Sequence, residues 1–486
     1  MLKANLLFFT QKGQLLVISV FWAILAIAIN PYGEFPYSDD WAYALSVKSL
    51  VETQTFFISG WTAVNLGIQI VWGALFCLPF GFSFTAIRIS TLVAGLIGLL
   101  GTHQLIYNST ENKSLAFIGT LLMLVNPMYL GLSASFMTDV PFYALAVWSM
   151  SYMVIGLKHN AWRPMLIGLG FSILALLIRQ LGIALFAGFG VAYIAYKGIN
   201  LKSIGVAGIT VIVGLGTQIV YQRWLSHVMP GMASYNGQAS NFFHLSFYKL
   251  NLIRHFISHT FIALMYVGVF IFPYLLLLLT KNSLTNFPKK LGLYVLLTVI
   301  VLSIWYYFFD GINMPIWWNT LNAFGFGPML LRDIYYRLYG LPFPEFVHLM
   351  MIGVTIGSLL GSIGILYYLI RIIQYLTRWS MDVSQRAVGI LFFSVLVIYY
   401  LPMGVQGLFD RYLLLIPVLL VILIHLSLKD ANEQKKQVPL RLPRFMSIGL
   451  LGIYFLYSVC AIHDFLAWNR VRWQALTNLM QQGMKP

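Results

Sequence analysis

The stretch Thr62–Phe80, TAVNLGIQIVWGALFCLPF, is apolar enough to pass for a membrane span, and its reading decides the fold. If it crosses, every later loop changes side. The lysine and arginine clusters at 281–290 and 429–444 would then face outward, against the rule that basic loops stay in the cytoplasm. If it does not cross, those clusters face inward together with Lys3, Lys12, Lys113, Lys158, Lys197 and Lys202. We therefore read Thr62–Phe80 as a helix lying in the outer interface or dipping into the membrane, a depth that suits its flanking Trp61 and its own Trp72.

The rest of the chain has the character this reading needs. Of its 486 residues 59% are hydrophobic and 9% are charged. The mean hydropathy of +0.81 lies outside the range of soluble domains. Apolar runs near the length of a span recur without strict alternation, which excludes a β-barrel and predicts an all-α polytopic membrane protein. The expected spans number about thirteen. They begin with Leu15–Asn30, retained as a first span, and continue near 84–107, 114–131, 140–157, 163–178, 181–197, 203–222, 254–280, 288–309, 346–370, 387–403, 411–428 and 445–463. The net charge of +16 reflects basic residues flanking spans rather than a nucleic-acid surface. Cys77 and Cys460 are far apart in apolar sequence and imply no disulfide. The chain is expected to form one transmembrane domain over 1–486, with 31–81 an extracytoplasmic loop carrying interfacial helices and no soluble C-terminal domain.

In that first loop stands Phe35-Pro36-Tyr37-Ser38-Asp39-Asp40-Trp41-Ala42-Tyr43. The chain has only 14 acidic residues, so an adjacent pair at the rim of a span needs a reason. Neighbouring carboxylates repel, and partial desolvation raises the pKa of at least one, which suits it to accept a proton from an attacking hydroxyl or amine. The plainer account is that Ser38 or Asp39 caps a short helix. A second signal is Asp139, in Phe136-Met137-Thr138-Asp139-Val140-Pro141-Phe142. Thr138 or Asp139 makes a good cap with Pro141 in the first turn. With thirteen spans Asp139 emerges on the same face as Asp39, and an ionisable residue there is a site hypothesis. Two acidic loops facing one cavity can hold a general base, or a divalent cation of the Mg or Mn kind. Arg179, Arg332 and Arg411 fall on the same side, and a guanidinium matches phosphate geometry. For each alone, headgroup anchoring or a local pair with Asp333 or Asp410 is the simpler account. Together with two acidic loops they describe an enzyme using a lipid-linked phosphate donor, with Trp41 and Tyr412 as candidate substrate contacts.

An acidic pair in the first outer loop, a second Asp in a Met-Thr-Asp-Val-Pro context and a basic turn after the fifth span resemble the GT-C glycosyltransferases. The closest likeness is to the bacterial family-39-type enzymes related to protein O-mannosyltransferases and the lipid A aminoarabinose transferase, over about residues 1–470. The resemblance implies a polyprenyl-phosphate-linked sugar donor, transfer with inversion to a lipid, glycan or protein acceptor, and a periplasmic active site in the bacterial inner membrane. The N-terminus would be cytoplasmic and the C-terminus extracytoplasmic. By position Asp39 matches the first-loop catalytic Asp, Asp40 its acidic neighbour and Asp139 the second-loop Asp. Phosphate-binding roles for Arg179, Arg332 and Arg411 are carried as candidates. Many relatives carry a sizeable extracytoplasmic C-terminal domain; here the sequence ends soon after Trp473, which leaves acceptor recognition to membrane-embedded loops or a partner. The rival expectation is a transporter or flippase of a lipid-linked or polar substrate; a non-catalytic membrane scaffold is a further one.

Overall fold

The computed structural model describes residues 10–229, 249–281, 286–315, 320, 345–378, 382–429 and 440–484. Its elements are helices. After α1 (Gln11–Ala28) come α2 (Asp40–Thr53) and α3 (Gly67–Cys77), then α4 (Phe84–Thr110), α5 (Lys113–Leu124), α6 (Pro127–Ser133), α7 (Asp139–His159) and α8 (Trp162–Ile178). A 3-10 turn at Gln180–Gly182 leads into α9 (Ile183–Lys197) and α10 (Leu201–Val228). The second half holds α11 (Lys249–Leu277), α12 (Phe287–Phe309), α13 (Glu345–Leu376), α14 (Val383–Gln406), a 3-10 turn at Asp410–Leu415, α15 (Ile416–Lys429) and α16 (Arg441–Gln481).

Among the described residues eleven helices are long and apolar enough to cross a membrane, and the α5–α6 pair, bent by 64°, makes a twelfth if it is one span. The expected count of thirteen therefore needs α8 as well, a shorter helix of 17 residues. It spans about 25 Å at 1.5 Å per residue. It runs antiparallel to α7: the two join at 160–161, their middles meet where Ser149 and Ser172 hydroxyls hydrogen-bond at 2.8 Å, and their far ends meet at Asp139 and Arg179. It thus retraces most of the depth of α7. The stretch 62–80 contains only the 11-residue α3, about 16 Å long and half the hydrocarbon thickness, so it does not cross as a single helix.

The break in the span expected at 114–131 has a local cause. Asn126 turns its carboxamide onto the amides of Met128 and Tyr129, capping α6, while Pro127 at the first helical position cannot continue the ladder of α5. The Val125 carbonyl freed by the break accepts from Ser458 of α16 at 2.7 Å. The bend carries the chain into the wholly buried segment 126–144, which leads to Asp139.

Charge sorts by end. One end gathers the loop 30–66, residues 134–139, Arg179 and residues 407–412. The opposite end carries Lys113, Lys158, Arg163, Lys197 and Lys202 at the far termini of α5, α7, α8, α9 and α10. There Lys158 pairs with Glu111 and Lys197 bonds the Asn160 carboxamide, both at 2.8 Å.

Helices α11 and α13 cross at Gly268 and Gly361, where a side chain on Gly361 would land on the Gly268 backbone. Such close approach is how membrane helices pack without a hydrophobic driving force between them. We predict that Gly361→Leu lowers stability by about 3 kcal/mol, the upper range for overpacking. Gly353→Leu, on the same helix with open space around it, changes stability by less than about 0.5 kcal/mol. Thermal unfolding in detergent measures both, and equal effects would contradict the packing.

Candidate functional site

The site is built where the first loop meets the start of α7. Its anchor is Asp40, whose side chain is buried. One carboxylate oxygen accepts from the backbone amides of Tyr37 and Ser38, each at 2.8 Å; the other accepts from Phe136 at 3.0 Å. The Phe136 carbonyl is held in turn by Gln69 of α3 at 2.8 Å. Burial raises the Asp40 pKa, and the three amides with nearby Arg88 oppose that rise. Arg88 donates to the carbonyls of Pro31, Gly33 and Phe35 and lies 4.1 Å from the Phe35 ring centre, which folds the chain just before Asp40. Its role here is internal bracing, which a lone Arg near the start of a span does not reveal.

Asp39 points elsewhere. It is the N-cap residue of α2 but makes no side-chain capping bond, and its carboxylate is 67% exposed. It sits 3.6 Å from the Arg411 guanidinium. Thr138, the residue before α7, likewise makes no cap bond, and Asp139 lies within the first turn. Neither acidic signal is therefore explained by capping. Asp139 is buried and bonds the equally buried Arg179 directly. Among the described residues its second oxygen has no hydrogen-bond partner, and neither has the Arg411 Nε. Unpaired buried polar atoms are costly, and their clustering marks a place where a polar ligand completes the bonding.

Tyr412 joins the two arginines. The Arg179 guanidinium lies 4.3 Å from its ring centre and that of Arg411 lies 5.5 Å away. The Tyr412 carbonyl accepts from the Tyr399 hydroxyl at 2.8 Å, and Tyr399 stacks on Phe142 of α7. Asp410 is buried and accepts from the Arg411 amide at 2.7 Å and from the Thr320 amide at 3.1 Å. It thus braces the turn, while the Arg411 guanidinium turns to Asp39. Tyr43, one turn along α2 from Asp39, is buried at the same place. Burial pushes its phenol well up, against the lowering pull of Arg411 and Arg179, so it stays protonated. Trp41 is partly exposed beside Trp61, their ring centres 6.3 Å apart.

The structure thus brings together Asp39, Asp139, Arg179, Arg411 and Tyr412, while Trp41 stands beside Trp61. It sets Asp40 apart as a brace, buried with three backbone amides on its two oxygens. Arg332 lies outside the described residues. Tyr43 and Tyr399 were missed as members of the site. Tyr43 could have been found from its spacing four residues after Asp39, which puts both on one helix face; Tyr399 lies deep in an apolar run. Among the described residues no three metal-ligating groups cluster. Each of the two carboxylates faces a guanidinium, a donor set that competes with a dication, so the expectation of Mg or Mn gains no fit from these residues.

Comparison with known proteins adds one segment match. A family model described as dolichyl-phosphate-mannose-protein mannosyltransferase matches residues 71–220, a stretch that includes Asp139 and Arg179 and leaves out Asp39 and Arg411. It is a GT-C family, so over this segment the chain is similar to GT-C membrane glycosyltransferases. No curated protein sequence matches. Among solved structures, ArnT from Cupriavidus metallidurans bound to undecaprenyl phosphate aligns at 13% identity and a TM-score of 0.42, over 98% of this chain and 82% of that one. Arabinosyltransferase EmbB from Mycobacterium smegmatis aligns at 11% identity and 0.38, over 95% of this chain and 41% of that one. These scores are too low to transfer a role to any residue.

The Asp139–Arg179 pair has a direct test. Arg179→Met leaves a buried carboxylate uncompensated and is expected to cost about 3–5 kcal/mol. The double variant Asp139→Asn, Arg179→Gln buries no charge and should recover most of that loss. Thermal unfolding of the three proteins reads the pattern, and an equal loss in the double variant would contradict it.

Proposed function

We propose that the chain is a membrane glycosyltransferase of GT-C type that moves a sugar from a polyprenyl-phosphate donor to an acceptor hydroxyl or amine. The observation that carries the reading is the pairing of two guanidinium groups around Tyr412 with one exposed carboxylate and one buried carboxylate. Two cations held side by side form a seat for a phosphate. The family match over 71–220 supports it.

The roles divide by exposure. Asp139 is buried and paired, so it holds Arg179 in place. Asp39 is exposed, and a pair this open contributes about 0–1 kcal/mol, so Arg411 can exchange Asp39 for a phosphate at little cost. Asp39 then faces the incoming acceptor. It takes the proton as the acceptor oxygen or nitrogen bonds the anomeric carbon and the carbon–oxygen bond to phosphate breaks. The leaving lipid phosphate keeps the bonding electrons, and Arg179 and Arg411 stabilise its charge. Attack opposite the leaving group inverts the anomeric centre.

Two further features fit. An open groove of about 400 Å³, lined by Leu177, Thr217, Val220, Tyr221 and Trp224, adjoins the turn that carries Arg179 and would suit an isoprenoid chain. The basic residues at the opposite end of the bundle favour that end in the cytoplasm, which puts the charge cluster at the extracytoplasmic face. A bacterial inner membrane, where such lipid donors are used, is the setting this implies.

The test is Asp39→Asn. It should fold, bind polyprenyl phosphate and lose transfer by about 10²–10⁴-fold, the range for a general base. Transfer is read as labelled sugar leaving the lipid-linked donor in reconstituted membranes. Full activity in that variant would remove Asp39 from the mechanism.

A further inference from the structure

We propose that Asn65 is a positioning residue for Arg179, and through it for the donor phosphate; this rests on the reading that Arg179 seats that phosphate. Arg179 stands at a break in the chain. Helix α8 ends at Ile178, Arg179 is extended (φ −142°, ψ 136°), and the 3-10 turn follows at once. Its own neighbours supply two backbone bonds, from Arg179 to the Ala175 carbonyl and from Gly182 to the Arg179 carbonyl, each 2.9 Å. The last carbonyls of a helix have no partner within it.

A piece of the first loop supplies what is missing. The Asn65 carboxamide donates to the Leu176 carbonyl at 2.6 Å, and the Leu66 amide donates to the Ile178 carbonyl at 3.1 Å. From beyond the break, Gln180 donates back to the Ala63 carbonyl at 3.2 Å. The chain at 63–66 therefore grips both sides of Arg179. Leu66 adopts the left-handed region (φ 60°) to bring its amide to Ile178, a conformation that costs a β-carbon residue about 1 kcal/mol or more and persists only when surrounding bonds enforce it.

Asn65 is fully buried and is itself held. It exchanges a reciprocal pair of amide bonds with Gln218 of α10, at 2.7 and 3.1 Å, and its carbonyl accepts from the Tyr221 hydroxyl. An Asn is needed because the Leu176 carbonyl requires a donor, which Asp and Leu lack. The clamp thus runs from α10 through one side chain of the first loop to the residue that bonds Asp139.

The test uses the full-length protein in detergent with undecaprenyl phosphate as the probe. Asn65→Leu should speed hydrogen exchange of the Arg179 and Gly182 amides. It should also weaken probe binding by about 10-fold, the lower range for loss of a residue that orients a ligating group. Because the effect passes through Arg179, the same change should weaken binding by less than about 2-fold in an Arg179→Lys background and keep its full size in an Arg411→Lys background. Gln14→Leu deletes a buried carboxamide that bonds His103, on a helix outside this cluster, and should lower stability without moving the probe Kd. If Asn65→Leu does not fold, Gln218→Leu removes the support of the carboxamide and should show the same pattern at smaller amplitude. Equal weakening in both arginine backgrounds, or unchanged exchange at Arg179 and Gly182, would overturn the proposal. If Arg179→Lys alone left probe binding unchanged, the donor-phosphate reading would fail, and the exchange result would still judge the clamp.

Discussion

Two loops far apart in sequence share one carboxylate. Asp40 gathers the amides of Tyr37 and Ser38 with one oxygen and that of Phe136 with the other. Asp39 is its neighbour on one side of this tie, and Asp139 stands three residues beyond the other. A buried carboxylate is tolerated when hydrogen bonds and nearby charge compensate its lost hydration, and here three backbone donors with Arg88 nearby supply that compensation. Those donors are then unable to move independently, so the bonds that satisfy Asp40 also tie the position of Asp39 to that of Asp139.

The same demand orders the rest of the charge cluster. Where hydrocarbon and protein surround a group, ionisable side chains persist when an opposite charge or backbone groups meet them. Arg179 meets Asp139, and Asp410 accepts from the backbone amides of Arg411 and Thr320. Arg411 meets Asp39, a carboxylate that water can still reach. A chain of exposure results, from a sealed pair at the base to a loose pair at the mouth. In the proposed reaction that gradient separates the group that holds from the group that takes a proton.

Much of this was legible in the sequence because it depends on hydropathy and charge sign. The helical membrane class, the short α3 where Thr62–Phe80 passes for a span, and the candidacy of Asp39, Asp139, Arg179 and Arg411 follow from runs of apolar residues and from which loops carry acids. What was not legible depends on direction. Asp39 and Asp40 are identical in type and adjacent, and only the turn at 35–40 sends one inward and the other out. Arg88 and Arg411 both sit near the ends of spans, yet one meets three carbonyls and the other a carboxylate. The span expected at 114–131 is broken at Asn126-Pro127, a capping pair whose effect needs Ser458 from the far end of the chain to satisfy the exposed carbonyl. Asn65 is one amide in an apolar stretch, and its partners lie more than a hundred residues on.

The most direct measurement is an experimental structure of the protein with a bound polyprenyl phosphate. The account predicts phosphate density in contact with both Arg179 and Arg411, the Asp39 carboxylate displaced from Arg411 and open to solvent, and Asp139 still bonded to Arg179. Phosphate bound away from both arginines, or at the lysine-rich end of the bundle, would contradict it.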